Sequence, residues 1–318
     1  MKIILLILLF INNIILIVSN SIKLNDWPII GIFAQPTTST QGDCAGSCQY
    51  IAASYVKYIE AAGARVVPIN YYSTTTELDE LFKNLNGFFF PGGSSSFPSS
   101  AQYIFDKIVE ANDNGDFIPL WGTCMGFQWL LISAARDDTI LDPSSGVLDA
   151  YNYSIPLDFT SEASSSRLFG RAPLDVMKIL SSRNVTLNNH HYGIYPEHLQ
   201  SIDSLSSFYN VLSVNEDRAG VSFVSTIESF DYPIYGTQWH PEKNIYEWGQ
   251  TNGIPNEAIN HSPESILIAQ YTANFFVEQA RKCSHSYTNA DEEDEALISN
   301  YTPTKTTGSF QESYYFHF

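Results

Sequence analysis

From Pro28 onward, short apolar runs alternate with amphipathic stretches, the rhythm of a parallel sheet whose strands are joined by crossover helices. Pro28 to Ala34 predicts a first buried strand. Ile51, Tyr55, Ile59 and Ala62 recur at helical spacing and predict a helix over 51–62, with Gly63 where a helix-ending glycine belongs. Arg65 to Ile69 is expected as a second strand. Glu77 to Leu85 follows as a helix opened by a threonine run that can cap it, then Gly87 to Phe90 as a third strand ending in Pro91-Gly92-Gly93. A helix over about 101–111 and a strand over 118–121 lead into Gly122-Thr123-Cys124-Met125-Gly126, after which Phe127 to Ala135 is helical again. The stretch 136–187 is rich in Ser, Asp and Pro and predicts loops and short strands that decorate the sheet. Asn210–Val214 and Val221–Ile227 read as an antiparallel pair. Tyr232 to Trp239 reads as a last strand running into His240-Pro241-Glu242. Ser262-Pro263-Glu264 then supplies a cap, a first-turn proline and an early acid for a helix reaching about Arg281.

The pattern contains no internal repeat. It predicts one α/β domain over 22–286, a doubly wound, mostly parallel sheet with flanking helices. A tail over 287–318 follows, with an acidic run at 291–295 expected to be solvated and an aromatic end at 314–318.

Ahead of this domain, Lys2 precedes an almost uncharged apolar stretch from Ile3 to Val18 and the small polar group Ser19, Asn20, Ser21. Residues 1–21 therefore read as a secretory signal peptide, with no stable membrane insertion expected once it is cleaved. A secretory route gives meaning to four Asn-x-Ser/Thr sequons, at Asn152, Asn184, Asn260 and Asn300, as candidate glycan sites. It also allows Cys44 and Cys48, in a polar loop, to pair locally. The chain has four cysteines in 318 residues, too few for a fold built on disulfides. No second Cys/His pair has ligand spacing, so no metal is expected, and no cofactor.

Thirty-four acids against 16 Lys plus Arg give a formal charge of −18, the wrong sign for wrapping a phosphate backbone. Nucleic-acid binding is excluded on that ground, and an anionic substrate would need a local site that offsets the global field.

The chemistry concentrates at Cys124. Gly-x-Cys-x-Gly between a buried strand and a helix is the cysteine form of a nucleophile elbow: small residues must flank so tight a turn, and the side chain is presented at the carboxyl edge of the sheet. A helix N-terminus offers unpaired N–H groups and the positive end of a dipole, which favour thiolate. His240, at the end of the last strand, is the candidate base and acid, and Glu242 can fix its tautomer. Gly92 and Gly93 let backbone approach a substrate closely. The N–H groups of Gly93 and Met125 are the candidate oxyanion donors.

Gly-Thr-Cys-Met-Gly-Phe-Gln together with Gly-Thr-Gln-Trp-His-Pro-Glu-Lys resembles the class I glutamine amidotransferase superfamily. Within it, the segments 51–68, Phe90-Pro-Gly-Gly-Ser94 and 232–243 make the chain similar to the gamma-glutamyl hydrolase family, over about 28–281. The resemblance implies a flavodoxin-like sheet carrying a Cys-His-Glu triad. It also implies hydrolysis of folyl poly-γ-glutamates through a thioester on Cys124, with His240 as proton carrier and Glu242 as its partner. It implies a secreted or lysosomal setting and a homodimer. A family histidine in a short loop matches Asn188-Asn189-His190-His191-Tyr192; the alignment favours His190 as a substrate-binding residue and leaves His191 open. Arg167, Arg171 and Lys243 are further candidate cations for a polyanionic substrate. Two other readings remain at this point: a glutaminase-type amidotransferase acting on another γ-glutamyl substrate, and a secreted folate- or peptide-binding protein that has lost catalysis.

Overall fold

The computed structural model describes residues 24–39, 44, 46–141, 147–306, 308 and 310–318. The expected signal segment, 1–21, lies outside the described residues. Eight strands form the main sheet: β1 (Ile29–Phe33), β4 (Arg65–Ile69), β5 (Gly87–Phe90), β6 (Leu120–Thr123), β8 (Asp158–Phe159), β10 (Tyr209–Glu216), β11 (Ser222–Ser229) and β12 (Ile234–Thr237). Their order is β4-β1-β5-β6-β12-β11-β10-β8. The first five are parallel, and the last three continue antiparallel. Among the parallel strands the chain runs from β1 outward to β4 and then crosses to β5 on the other side. This is the flavodoxin-like order, with its topological switch between β1 and β5.

The buried strands read as continuous apolar runs because both faces are covered. Ile30, Ile32, Phe89, Trp121 and Tyr235 point to one face, where they pack with Tyr55, Tyr58 and Phe276 from the helices Ala53–Ala61 and Pro263–Ala280. Ile29, Phe33, Phe88, Phe90 and Leu120 point to the other, against the helices Thr75–Asn84, Ser99–Asp113 and Met125–Ala135. The period of two sorts neighbours such as Phe88, Phe89 and Phe90 onto alternate cores. Each aromatic removed from water in this way contributes about 1.5–3 kcal/mol.

Two expectations shift at element boundaries. The helix expected over 51–62 begins at Ala53, because Ile51 and Ala52 belong to β3 (Cys48–Ala52). β3 pairs with β2 (Gln35–Thr37) in a second, four-stranded sheet. Ile51 and Ala52 are apolar at helical spacing only because the strand feeds straight into the helix. Cys48 likewise leaves the expected loop for the first position of β3, and it forms a disulfide with Cys44. The threonine run does cap its helix: Thr74 and Glu77 form a reciprocal capping box.

The tail is part of the fold. The acidic run, expected as a solvated segment, forms the helix Ala290–Ala296 capped by Asn289, and Glu293 is paired with Arg65. Acids in the first turn of a helix are favoured by its dipole, which is why the run is helical although none of its residues is buried. Beyond it, β15 (Thr304–Lys305) and β16 (Glu312–Phe316) complete the second sheet, and β16 lies antiparallel on β3. On the flank, β7 (Ala150–Ile155) pairs with β9 (Thr186–His190), and β13 (Gln250–Thr251) with β14 (Ile254–Pro255). No helix among the described residues is long and apolar enough to cross a membrane.

Gly122 and Gly126 explain the glycine spacing around Cys124. A Cβ on Gly122 would stand 2.5 Å from the carbonyl oxygen of Gly126, and one on Gly126 would stand 1.9 Å from that of Phe90. Backbone meets backbone at both places, so nothing flexible can yield. Gly126→Ala is expected to lower stability by about 3 kcal/mol, the upper range for overpacking a rigid site. An unchanged urea midpoint would contradict this packing.

Candidate active site

The loops that follow β1, β5, β6 and β12 meet at the carboxyl edge of the sheet, beside the switch point where open α/β sheets hold their ligands. They bring Gln35, Gly92 and Gly93, Cys124, and His240 with Glu242 to one place. Cys124 sits between β6 and its helix with φ 54° and ψ −107°. That conformation is strained for any residue with a Cβ. It is held from both sides: the Cys124 N–H donates to the carbonyl of Thr237 at 2.8 Å, and its own carbonyl accepts from Gln128 N at 3.1 Å. The strand expected to end at Trp121 runs on to Thr123, so the turn is made by Cys124 itself.

His240 and Glu242 are buried, and His240 Nδ1 lies 2.7 Å from Glu242 Oε1. That contact assigns Nδ1 as the donor and leaves Nε2 for Cys124, which is within electrostatic and hydrogen-bonding reach of the ring. Burial alone would push the imidazole pKa down. Glu242 first and Cys124 second outweigh it and raise His240 to about 10. The imidazole is therefore held charged. Lys243, adjacent in sequence to Glu242, does not compete for that carboxylate. Its ammonium is buried and bonded at 2.7 Å to both oxygens of Glu257.

Two residues that the sequence did not mark as site residues complete the centre. The Tyr55 hydroxyl accepts the N–H of Gly92 at 2.8 Å and lies 3.4 Å from His240 Nδ1. Gln35 Nε2 donates to the Gly92 carbonyl at 2.9 Å. In a trans peptide the N–H points opposite to the C=O, so Gln35 turns the Gly93 N–H away from itself. Gly93 is exposed and its N–H keeps its candidate role. Gly92 is a correction: it was expected to bind substrate, but both its polar backbone groups are taken by Tyr55 and Gln35. What Gly92 supplies is closeness, since a Cβ there would stand 2.8 Å from His240 Cε1 and 3.2 Å from the Cys124 Cβ. The Met125 N–H, first in its helix, has no intrahelical acceptor. Tyr55 was hidden because it fits the apolar face of its helix. Gln35 carried a usable signal, a polar residue two positions past the end of β1 at the switch point.

The structure separates the two loop histidines. His190 is buried, with Nδ1 3.0 Å from the Tyr192 carbonyl and Nε2 3.1 Å from Asn188 Oδ1. His191 is exposed and stacked on Tyr151 at 5.2 Å. The other candidate cations are occupied or remote. Arg167 binds the carbonyls of Ser229, Phe230 and Tyr232, beside the start of β12 and so at the opposite edge of the sheet. Arg171 is exposed and acts on Lys282 rather than on the site.

Burial first, and the charged His240 second, lower His190 to about 3, so this imidazole is neutral in the native state. An unfolded histidine binds a proton near its ordinary 6.5, so the unfolded state holds more protons between 6.5 and 3, and stability must fall as pH drops through that window. His240 has the opposite sign: its folded value is raised, so its contribution is complete below 6.5 and is lost as pH rises toward 10. His190→Gln is expected to flatten the acid limb of a urea-midpoint profile by up to about 1.4 kcal/mol per pH unit. An acid limb as steep as that of the parent would place its source elsewhere.

Comparison with known proteins shows the family of the chain. The Peptidase C26 family model matches residues 28–242, from the start of β1 to Glu242. Gamma-glutamyl hydrolase B of Dictyostelium discoideum is 41% identical over 89% of this chain and 80% of its own length. The gamma-glutamyl hydrolases of Bos taurus and Homo sapiens are each 38% identical over 91% of this chain and 89% of theirs. Among solved structures, the glutaminase domain of Trypanosoma brucei CTPS with bound acivicin aligns over 80% of this chain and 94% of its own, with a TM-score of 0.49 and 16% identity. An elbow cysteine with a buried His-Glu pair, on a chain this similar along nearly all its length, places the protein in the Peptidase C26 family with the gamma-glutamyl hydrolases.

Proposed function

We propose that this protein is a cysteine-type γ-glutamyl hydrolase that acts on folyl poly-γ-glutamates, with Cys124, His240 and Glu242 as its catalytic residues. The observation that carries the reading is the strained Cys124 set against a charged, buried His240–Glu242 pair. The Cys124 thiolate attacks the γ-carbonyl, and the N–H groups of Gly93 and Met125 receive the oxyanion. As the C–N bond breaks, the His240 imidazolium gives its proton to the departing amine, leaving a γ-glutamyl thioester. Neutral His240 then takes a proton from water, whose oxygen attacks the thioester. Collapse releases the free γ-carboxylate and restores the thiolate–imidazolium pair. His190, kept neutral by burial and by the charge of His240, has one N–H to donate, to the Tyr192 carbonyl or to Asn188 Oδ1, and adds no second positive charge near His240.

A secretory location is part of the same proposal. The apolar stretch Ile3–Val18 supports it, as does the Cys44–Cys48 disulfide, a bond that persists in oxidising compartments. The alternative of a binding protein without catalysis is disfavoured by the same geometry, since a site relieved of turnover has no reason to keep a strained cysteine beside a charged imidazole.

Folyl-penta-γ-glutamate incubated with the purified protein should yield shorter folyl-γ-glutamates by mass, and Cys124→Ala should yield none while still folding. Glu242→Gln should lower kcat by about 100-fold or more, as loss of an orienting carboxylate does. It should also move the alkaline limb of the rate profile to lower pH, because Glu242 is the main group holding the His240 proton. Turnover retained by Cys124→Ala would remove the proposed nucleophile, and an alkaline limb unmoved in Glu242→Gln would remove the proposed role of Glu242.

A further inference from the structure

The C-terminal extension is fastened to the body at two places where the contact rests on a group that changes charge. The first is His285, just past the helix Pro263–Ala280. Its Nδ1 faces the carbonyls of Phe82 and Leu85 at 2.7 and 3.2 Å, and its Nε2 faces the two oxygens of Asp116 at 3.0 and 2.9 Å. All four are acceptors, so the ring fits only with a proton on each nitrogen, as an imidazolium. It closes the end of the helix Thr75–Asn84, where free carbonyls favour a cation. Cys283 from its own segment and Asp116 from the loop after the helix Ser99–Asp113 are the titratable groups that face it. The Cys283 sulfur first and Asp116 second hold its proton against burial and raise His285 to about 9. The second place is Glu247, buried in the body, which accepts the N–H of Gln311 from the extension. Facing it are Ser54 in the first turn of the helix Ala53–Ala61 and, from its own segment, Lys243 and Glu242. The Lys243 ammonium is already bound to both oxygens of Glu257. Burial, with Glu242 adding to it, outweighs Ser54, the Gln311 N–H and Lys243 and raises Glu247 to about 7.

We infer that the extension from Cys283 to Phe316 is a strap that takes up protons as it docks, so that acid fastens it and rising pH loosens it. This does not depend on the function proposed above. Release returns His285 to water, where its ordinary value is 6.5, and uncovers Glu247, whose ordinary value is 4.5. Both values are higher in the docked state, so that state binds more protons and both contributions fade as pH rises. The contribution of His285 is complete below 6.5 and is lost toward 9, and that of Glu247 is complete below 4.5 and is lost toward 7. A base and an acid thus act in the same sense. His285 must be charged to fit its acceptors, whereas the charge of Glu247 is costly to bury. Between the two contacts the chain forms the helix Ala290–Ala296, and past Gln311 it continues as β16 on β3. The partner of β3 on its other side is β2, which carries Gln35 and through it meets the Gly92 carbonyl. The strap is therefore tied at its far end to a support of the catalytic centre.

Amide hydrogen exchange of the full chain across this pH range, expressed as protection relative to an unfolded chain at the same pH, tests the strap in peptides spanning 286–301 and 304–316. Protection should fall about tenfold or more in both as pH rises from about 5.5 to about 8, since each pH unit inside a window changes the release equilibrium by up to about tenfold. His285→Gln should lower the protection of 286–301 at acid pH and flatten its slope. Glu247→Gln keeps the shape of the side chain and carries no charge, so it should preserve the acid level of protection in 304–316 as pH rises toward neutrality. A merely structural role would loosen the strap in both variants and leave the slopes in place. Protection in the parent that does not change with pH, or a slope over 304–316 unaltered in Glu247→Gln, would overturn the inference. Should His285→Gln fail to fold, the parent and Glu247→Gln still decide it.

Discussion

The backbone of Cys124 is the constraint on which the rest of this structure depends. A residue at φ 54° and ψ −107° has left the regions where side-chain-bearing residues are comfortable, at a cost of about 1–3 kcal/mol. The strain persists because everything around it is rigid. Thr237 on the neighbouring strand fixes the amide, and the first helical turn fixes the carbonyl. Gly122 and Gly126 let three stretches of backbone pass closer than any Cβ would allow. The two aromatic cores on either side of the sheet supply that rigidity. β5 and β6 are buried on both faces, so neither can shift to relieve the turn without opening a core. Packing energy far from the thiol is thereby converted into the direction in which the thiol points.

Electrostatics sets two neighbouring imidazoles in opposite states. Both His190 and His240 are buried, and burial drives each toward neutrality. They end in opposite states because Glu242 faces only one of them. The buried cation next door is kept from spoiling this by Glu257, which binds Lys243 with both oxygens and leaves Glu242 to His240. Once His240 is charged it acts on His190 as a like charge and reinforces its neutrality. Glu242, with Cys124, thus sets the charge of His240, while burial first and that charge second keep His190 neutral.

The parallel part of the sheet was legible because its strands are buried on both faces, and continuous apolar runs ending in glycine or at a polar turn have few other interpretations. Cys124, His240 and Glu242 stood at the ends of such runs, where sequence and chemistry mark the same residues. The second sheet was far less visible. β2 and β3 are short, and β3 passes into a helix with no break in its apolar pattern. Its last strands come from the far end of the chain, a pairing no local window contains. For the same reason Tyr55 and Gln35 were missed, since each matters through a partner far away in sequence, Gly92 in both cases. The acidic run is solvated as expected, with no residue buried, but composition alone did not show that it is a helix. Its acids lie at a helix start, where the dipole offsets their mutual repulsion, and Arg65 ties one of them to the body.

That distant strand also links two parts of the site that have no direct connection. Gln35 on β2 stands opposite Tyr50 on β3, and Tyr50 stands opposite Tyr315 on β16, so one row across the small sheet runs from the tail to the side chain that turns the Gly92–Gly93 peptide. On its other flank the tail reaches residues that follow Glu242. The N–H of Gln311 donates to Glu247, and the Lys243 ammonium lies 5.3 Å from the centre of the Phe310 ring. Lys57 of the helix that bears Tyr55 is paired with Glu312. The tail therefore touches the supports of the Gly92–Gly93 peptide, of the tyrosine that binds it and of the residues following Glu242. A domain could hold each of these separately, but their distances to Cys124 must agree with one another. One segment of the tail, 310–316, reaches all three, the first through β3, and ties those distances together.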